Sequence, residues 1–230
     1  MYLCEGDGLL RRIPPGLSPG HDVPAEVTWE NGIVMKILVI GATGTIGGAV
    51  CAALSKRHEV LRASRSGPLT VDMADSATVE ALLAQVGDLD AVVCCAAAGG
   101  MAPLFGGSGE FWDGLREKLI GQAELVRSAA PLLRRGGSIT LTSGYFQEPV
   151  VGSAPGHVIN AGVEAFVYAA AMEMPAGVRL NAVSPGWVRE TLRALGEDPA
   201  RGVPAAEVAR AYADLVEGRE RGLTLAVGAP

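Results

Sequence analysis

Residues 37 to 47 read Ile37-Leu38-Val39-Ile40-Gly41-Ala42-Thr43-Gly44-Thr45-Ile46-Gly47, and a helical pattern follows at once. Four aliphatic residues in a row fit a strand buried on both faces. Glycines directly after it suit a sharp turn, a backbone that approaches a pyrophosphate, and a helix packed closely on a sheet. The first turn of that helix would offer N–H groups and the positive end of its dipole to phosphates. Glycine spacing alone is weak, but glycines set between a first strand and a first helix are informative. The stretch therefore predicts a dinucleotide held by Gly41, Thr43, Gly44, Thr45, Ile46 and Gly47; a tight structural turn is the plainer alternative.

Working outward, short apolar runs alternate with longer helical patterns, the mark of strand-helix-strand units and a parallel sheet. Strands are expected at Val34 to Ile40, Glu59 to Ala63, Leu69 to Val71, Ala91 to Ala96, Ser138 to Thr142, Val178 to Val183 and Leu223 to Val227. Helices are expected over Ile46 to Lys56 and Ser76 to Val86, and then along Phe111, Leu115, Leu119, Ala123, Val126, Ala130 and Leu133, ended by Gly136-Gly137. Two more are expected, at Ala161 to Met174 before Pro175 and from Val203-Pro204 to Glu217. This is an α/β chain with a doubly wound, seven-stranded parallel Rossmann-type sheet in a single domain over 35–230. Residues 1–34, with Pro14-Pro15-Gly16 and Pro19-Gly20, read as a loose N-terminal extension, a packed arm being the alternative.

The 230 residues suffice for one core without disulfides or metals, and 49% hydrophobic against 19% charged residues is a packed globular composition. A net charge of −6 without basic clusters argues against nucleic acid. The absence of a long apolar run argues against a membrane partner. Cys4, Cys51, Cys94 and Cys95 have neither disulfide nor zinc spacing, which fits a reducing cytoplasm and gives no metal site.

Recognition of a ribose 2′-hydroxyl calls for an acid at the end of the second strand, and the chain reads Leu61-Arg62-Ala63-Ser64-Arg65-Ser66 there instead. Ser64, Arg65 and Ser66 suit a 2′-phosphate, so NADP(H) is favoured over NAD(H). Arg62 is expected on the opposite side of the strand as a solvated charge.

Several segments in order resemble the short-chain dehydrogenases/reductases. Gly41, Gly44 and Gly47 look like that family's Gly-x-x-Gly-x-x-Gly variant; Val71-Asp72-Met73 resembles the segment whose Asp faces the adenine. Cys94-Cys95-Ala96-Ala97 stands in place of Asn-Asn-Ala-Gly, and Asn181-Ala182-Val183-Ser184-Pro185-Gly186 follows the sixth strand. The resemblance covers nearly all of residues 35 to 230. It implies that Asp72, Met73, Cys95, Ala96 and Ala97 border the adenosine half of the cofactor, and Pro185, Gly186 and Val188 the nicotinamide. Glu190 holds the position where the family has a Thr, and Thr191 follows it.

The same resemblance implies a Ser at the end of the fifth strand, a Tyr thirteen positions later and a Lys four beyond that. Ser143 matches, but Gly156 falls at the Tyr position and Asn160 at the Lys position. Gly has no side chain and Asn does not titrate. The family's helical Asn, three residues before a Gly, is here Lys118 before Gly121, so Asn and Lys look exchanged. Lys118 is therefore expected to bring its ammonium to the pocket while Asn160 bonds the ribose; a solvated lysine is the alternative. Tyr145 and His157 are the nearby candidates for a proton donor, each with a plainer reading as a loop residue. Two functions follow from the resemblance: an NADP(H)-dependent oxidoreductase of a small carbonyl or alcohol with a non-standard active site, or a non-catalytic NADP(H)-binding sensor. Homo-oligomers are common in the family, and Phe166, Ala169 and Ala170 could serve such a contact or pack in the core. The short segment Thr191 to Gly202 implies a small or open substrate pocket.

Overall fold

The computed structural model describes residues 2–5, 9–12, 34–96, 101–105, 112, 114–175 and 177–228. In chain order the strands are β1 (Tyr2–Glu5), β2 (Leu9–Arg12), β3 (Lys36–Ile40), β4 (Glu59–Ser64), β5 (Leu69–Thr70), β6 (Leu89–Cys94), β7 (Leu133–Thr142), β8 (Arg179–Pro185) and β9 (Thr224–Val227). They form one sheet in the order β1-β2-β9-β8-β7-β6-β3-β4-β5. The seven strands β3 to β9 are all parallel, as the strand-helix alternation implies. Two strands not foreseen from the sequence, β1 and β2, pair antiparallel and continue the sheet beyond β9.

The helices are α1 (Thr45–Leu54), α2 (Ser76–Val86), α3 (Gly121–Ala129), α4 (Ala154–Ala170), α5 (Arg189–Ala194) and α6 (Ala205–Glu217). Successive side chains of a strand point to opposite faces, and β3 shows the result. Ile37 and Val39 pack with Val50, Leu54 and Tyr212 of α1 and α6, while Leu38 and Ile40 pack with Leu82, Leu125 and Val163 of α2, α3 and α4. Burying each such side chain contributes about 1.5–3 kcal/mol. The chain runs outward from β3 through β4 to β5, then returns to the other side of β3 at β6. Beyond the carboxyl ends of β3 and β6 lies the switch-point crevice where open α/β sheets bind ligands.

Several element boundaries differ from the sequence reading. The third helical pattern ends at Ala129 and a short turn over Ala130–Leu132, because Pro131 lacks the N–H that would continue it. Leu133 already belongs to β7, and Gly136-Gly137 lie inside that strand, where a Cβ on Gly137 would sit 2.8 Å from the Asp90 carbonyl oxygen. α4 starts seven residues before Ala161, since Pro155 fits a first helical turn, and it thereby takes in Gly156 and Asn160. α5 was not foreseen. In α4, Phe166 and Ala170 are partly buried against the core, while Ala169 is exposed. Phe111 and Ala97 lie outside the described residues. Among the described residues no helix is long and apolar enough to cross a membrane.

Candidate active site

Gly41 begins the cleft with φ of +80°, a conformation open to Gly. A Cβ there would meet the Ala96 backbone nitrogen at 2.6 Å, and one on Gly47 would meet the Gly41 carbonyl oxygen at 2.1 Å. The turn is thus closed to any side chain at its two ends, which brings strand, helix and cleft floor together. α1 starts at Thr45 with no side chain capping its first N–H groups and no acid in its first turn. Thr43, Gly44 and Thr45 are exposed above it. An uncapped, unopposed helix start beside side-chain-free backbone is the cradle that a pyrophosphate fits.

This turn forms one wall of a cavity of about 340 Å³, which also gathers Ser64, Arg65, Ser66, Asp72, Met73, Cys95 and Ala96. Arg65 and Ser66 are exposed at its edge, but the Ser64 hydroxyl is buried and donates to the Ser66 carbonyl oxygen, so it shapes the loop. Asp72 is exposed and accepts from the Ala74 N–H at 2.9 Å. Arg62 is also exposed, with a guanidinium N–H 3.3 Å from the Ala42 carbonyl oxygen. Burial pushes the Cys94 thiol, inside β6, up to about 12 and raises that of Cys95, which lines the cavity, so both are neutral rather than reactive thiolates.

The second cavity, about 260 Å³, holds the chemistry-bearing groups: Lys118, Ser143, Tyr145 and Asn160, with Ile46, Pro185, Gly186 and Val188. Lys118 sits in a π-helical turn, Leu115–Ile120, directly before α3; such widened turns recur at functional sites. It is 9% exposed, and its ammonium donates to the Ser143 carbonyl oxygen at 2.8 Å and to Asn160 Oδ1 at 2.7 Å. Burial lowers its pKa to about 8, against the opposing pull of Glu164. Gln122, fully buried, fixes this wall: its amide donates to the Lys118 and Thr142 carbonyl oxygens at 2.8 and 2.9 Å and accepts from the Thr142 N–H at 2.8 Å.

The position where a Tyr is implied is filled from another element. A Cβ on Gly156 would lie 2.9 Å from the Phe146 ring, so that ring occupies the vacated volume. Phe146 packs on His157 with centroids 4.9 Å apart and on Trp187 at 6.1 Å. His157 is exposed, engaged with that ring, and is not among the groups lining the cavity. The Tyr145 hydroxyl lies over Gly186, where a Cβ would be 3.0 Å from the oxygen. That hydroxyl is buried without a hydrogen-bond partner among the described residues, and burial raises its pKa. An orphaned donor of this kind calls for a ligand atom. Glu190 turns away and accepts from the Ala205 N–H at 2.9 Å, at the start of α6, while Thr191 faces the cavity.

Sequence reasoning missed Glu164, Phe146, Trp187 and Gln122. Glu164 was detectable: with Gly156 and Asn160 it forms an i, i+4, i+8 row, one face of a helix. Phe146 gave no signal, because a ring filling a gap ten residues away follows from packing alone.

A family model described as "Enoyl-(Acyl carrier protein) reductase" matches residues 46–224. Among solved structures, the protein lin1944 from Listeria innocua is 39% identical, covering 84% of this chain and 100% of its own, with a TM-score of 0.79. A small-chain dehydrogenase in complex with NADPH is 27% identical, covering 86% and 98%, at 0.74. A short chain dehydrogenase/reductase family protein is 25% identical, covering 85% and 96%, at 0.75. No curated protein matches the sequence. With the glycine turn, the switch-point cleft and this match over most of its length, the chain belongs to the short-chain dehydrogenase/reductase family of nicotinamide-dependent oxidoreductases.

Proposed function

We propose that the protein is an NADP(H)-dependent oxidoreductase that interconverts a small carbonyl and its alcohol at an active site rebuilt around Lys118. The observation that carries this reading is the Lys118 ammonium, shared between Ser143 and Asn160 in the wall of one cavity. Preference for the 2′-phosphate is supported by exposed Arg65 and Ser66 after β4, where the chain carries no acid at the end of the strand. Gly41 to Gly47 would hold the pyrophosphate, and Pro185, Gly186, Val188 and Thr191 would border the nicotinamide ring. When bound, that ring supplies or accepts the hydride.

The chain's own residues handle the substrate oxygen and its proton. Two of the three Lys118 ammonium protons go to Ser143 and Asn160, which leaves one for the substrate oxygen or a ribose hydroxyl. A pKa near 8 lets this group hold a proton at neutral pH and give it up when charge develops beside it. Asn160 keeps its Oδ1 on Lys118, and its amide N–H groups remain for the ribose. The Tyr145 hydroxyl, kept neutral by burial, is a further donor. A cavity of about 260 Å³ walled by Met101, Phe146 and Trp187 suits a small, largely apolar substrate. Free thiols at Cys51, Cys94 and Cys95 support a reducing, cytoplasmic setting. Exposed Tyr168 and Met172, on α4 and just after it, support a homo-oligomer, which sedimentation velocity tests.

Fluorescence titration with NADPH and NADH, followed by a panel of small carbonyls and alcohols with wild type and Lys118→Ala, tests the reading. NADPH binding with turnover that falls in the variant is expected. NADPH binding without any turnover selects a non-catalytic sensor, and no binding of either dinucleotide contradicts both functions.

A further inference from the structure

Ser143 Oγ donates to Glu164 Oε1 at 2.9 Å, and Ser184 Oγ donates to the same oxygen at 3.0 Å. A carboxylate only accepts, so the Ser143 hydroxyl proton is committed to Glu164 and the serine oxygen is left with its lone pairs. Ser143 lines the chemical cavity, so any third group there meets an acceptor, not a donor. An alcohol brings the proton such an acceptor needs, and a carbonyl does not. Glu164 stands on α4, four residues after Asn160 and eight after Gly156, on the face turned to β7 and β8.

Resting on the oxidoreductase reading above, we propose that Glu164 is the positioning residue and proton store of this site. It fixes Ser143 as acceptor for a substrate alcohol and takes up the proton that the alcohol loses. In that direction the alcohol O–H bond breaks and its proton joins Ser143 Oγ, while the proton already on Ser143 passes to Glu164 Oε1. The O–H electron pair stays on the substrate and becomes the second bond of the carbonyl. The C–H pair leaves as the hydride that oxidised nicotinamide accepts. Reduction of a carbonyl runs the same path backwards and needs Glu164 protonated at the start. The Ser143–Glu164 pair thereby supplies the proton path that Gly156 cannot.

Among the described residues, the Lys118 ammonium on the 115–120 turn interacts electrostatically with Glu164. β7 and β8 present the Ser143 and Ser184 hydroxyls to it. Cys94, at the end of β6, is a neutral thiol at every pH of interest.

Two measurements test the assignment, one of them needing neither cofactor nor turnover. The Glu164 carboxyl is followed through a pH titration by ¹³C NMR, its resonance identified with Glu164→Gln, in wild type and Ser143→Ala. Losing a hydrogen bond to the charged form should raise its titration midpoint in Ser143→Ala; an unchanged midpoint overturns the proposal. Oxidation of cyclohexanol and 1-phenylethanol with NADP+ is then compared in wild type, Glu164→Gln and Glu164→Asp. Wild-type kcat should rise with pH through the midpoint found by NMR. Glu164→Gln should lose about 100-fold or more in kcat together with that pH dependence, at unchanged NADP+ affinity, and Glu164→Asp should recover part of it. A Glu164→Gln profile like that of wild type, or NADP+ binding with no alcohol oxidation by wild type, overturns the proposal and leaves the dinucleotide reading standing. Failure to bind NADP+ overturns that reading instead, while the NMR comparison still decides whether Glu164 holds the serine.

Discussion

The two ends of the cleft are built on different principles. At the dinucleotide end the structure depends on what is missing: no Cβ fits at Gly41 or Gly47, and no side chain caps α1. At the chemical end it depends on side chains whose places are interchangeable between neighbouring elements. Lys118 reaches from the 115–120 turn to the Asn160 of α4, and Phe146 fills the volume beside Gly156. A backbone-made site tolerates little substitution and keeps its pattern. A side-chain-made site can be rebuilt so long as the same cavity receives comparable charges and donors.

That contrast is sharpened most by Lys118→Met, which keeps the apolar stem and removes the ammonium. If the chemical end rests on this charge, kcat falls by about 10²–10⁴-fold while NADPH affinity changes little. Equal losses in kcat and NADPH affinity would instead make Lys118 part of the dinucleotide grip. The same variant has a stability signature. In the unfolded chain Lys118 titrates near its ordinary 10.5, in the folded protein near 8. Between those values the unfolded chain holds a proton that the folded one has released, so stability rises with pH across that window. The burial penalty, on the order of 3 kcal/mol, is fully present below pH 8. Denaturation from pH 7 to 10.5 should show wild type gaining on Lys118→Met by up to that amount; parallel curves would contradict the burial.

Gly156→Tyr tests the exchange directly. Restoring the family's side chain collides with Phe146, so the variant should lose about 1–3 kcal/mol and gain no activity. With Phe146→Ala added, the two changes should be non-additive, the double variant being more stable than the sum of the single losses. Additive losses would show that Phe146 is not what fills the position. At the dinucleotide end, Arg65→Ala should weaken NADPH by about tenfold and leave NADH unchanged. The smallest effect is expected at Glu190→Gln, where weakening the contact to the start of α6 should cost less than about 1 kcal/mol by thermal denaturation.

The difference between the two ends also governs how far the sequence could be read. The first strand, glycine turn and first helix are local, so Ile37 to Gly47 disclosed them along with the parallel sheet. The Lys118 and Asn160 exchange was legible because each stood at a position with a known spacing to its neighbours. Other features depend on contacts distant in sequence. The helix expected from Ala161 starts at Ala154 with Pro155 in its first turn, and Gly136-Gly137 look like a helix stop although Pro131 has already ended the helix. Ser64 carries a hydroxyl suited to a phosphate, yet that hydroxyl is engaged within its own loop. Glu190 and Thr191 trade places because the start of α6 draws the carboxylate away.

The central claim is that one dinucleotide joins these two ends, and a crystal structure with NADPH tests it most directly. The pyrophosphate should lie on the first turn of α1 beside Gly44 and Thr45, the 2′-phosphate at Arg65, and the nicotinamide between Gly186 and the Ser143, Lys118 and Asn160 cluster. A dinucleotide lodged elsewhere, or a nicotinamide turned out of the cavity that holds Lys118, would contradict the account.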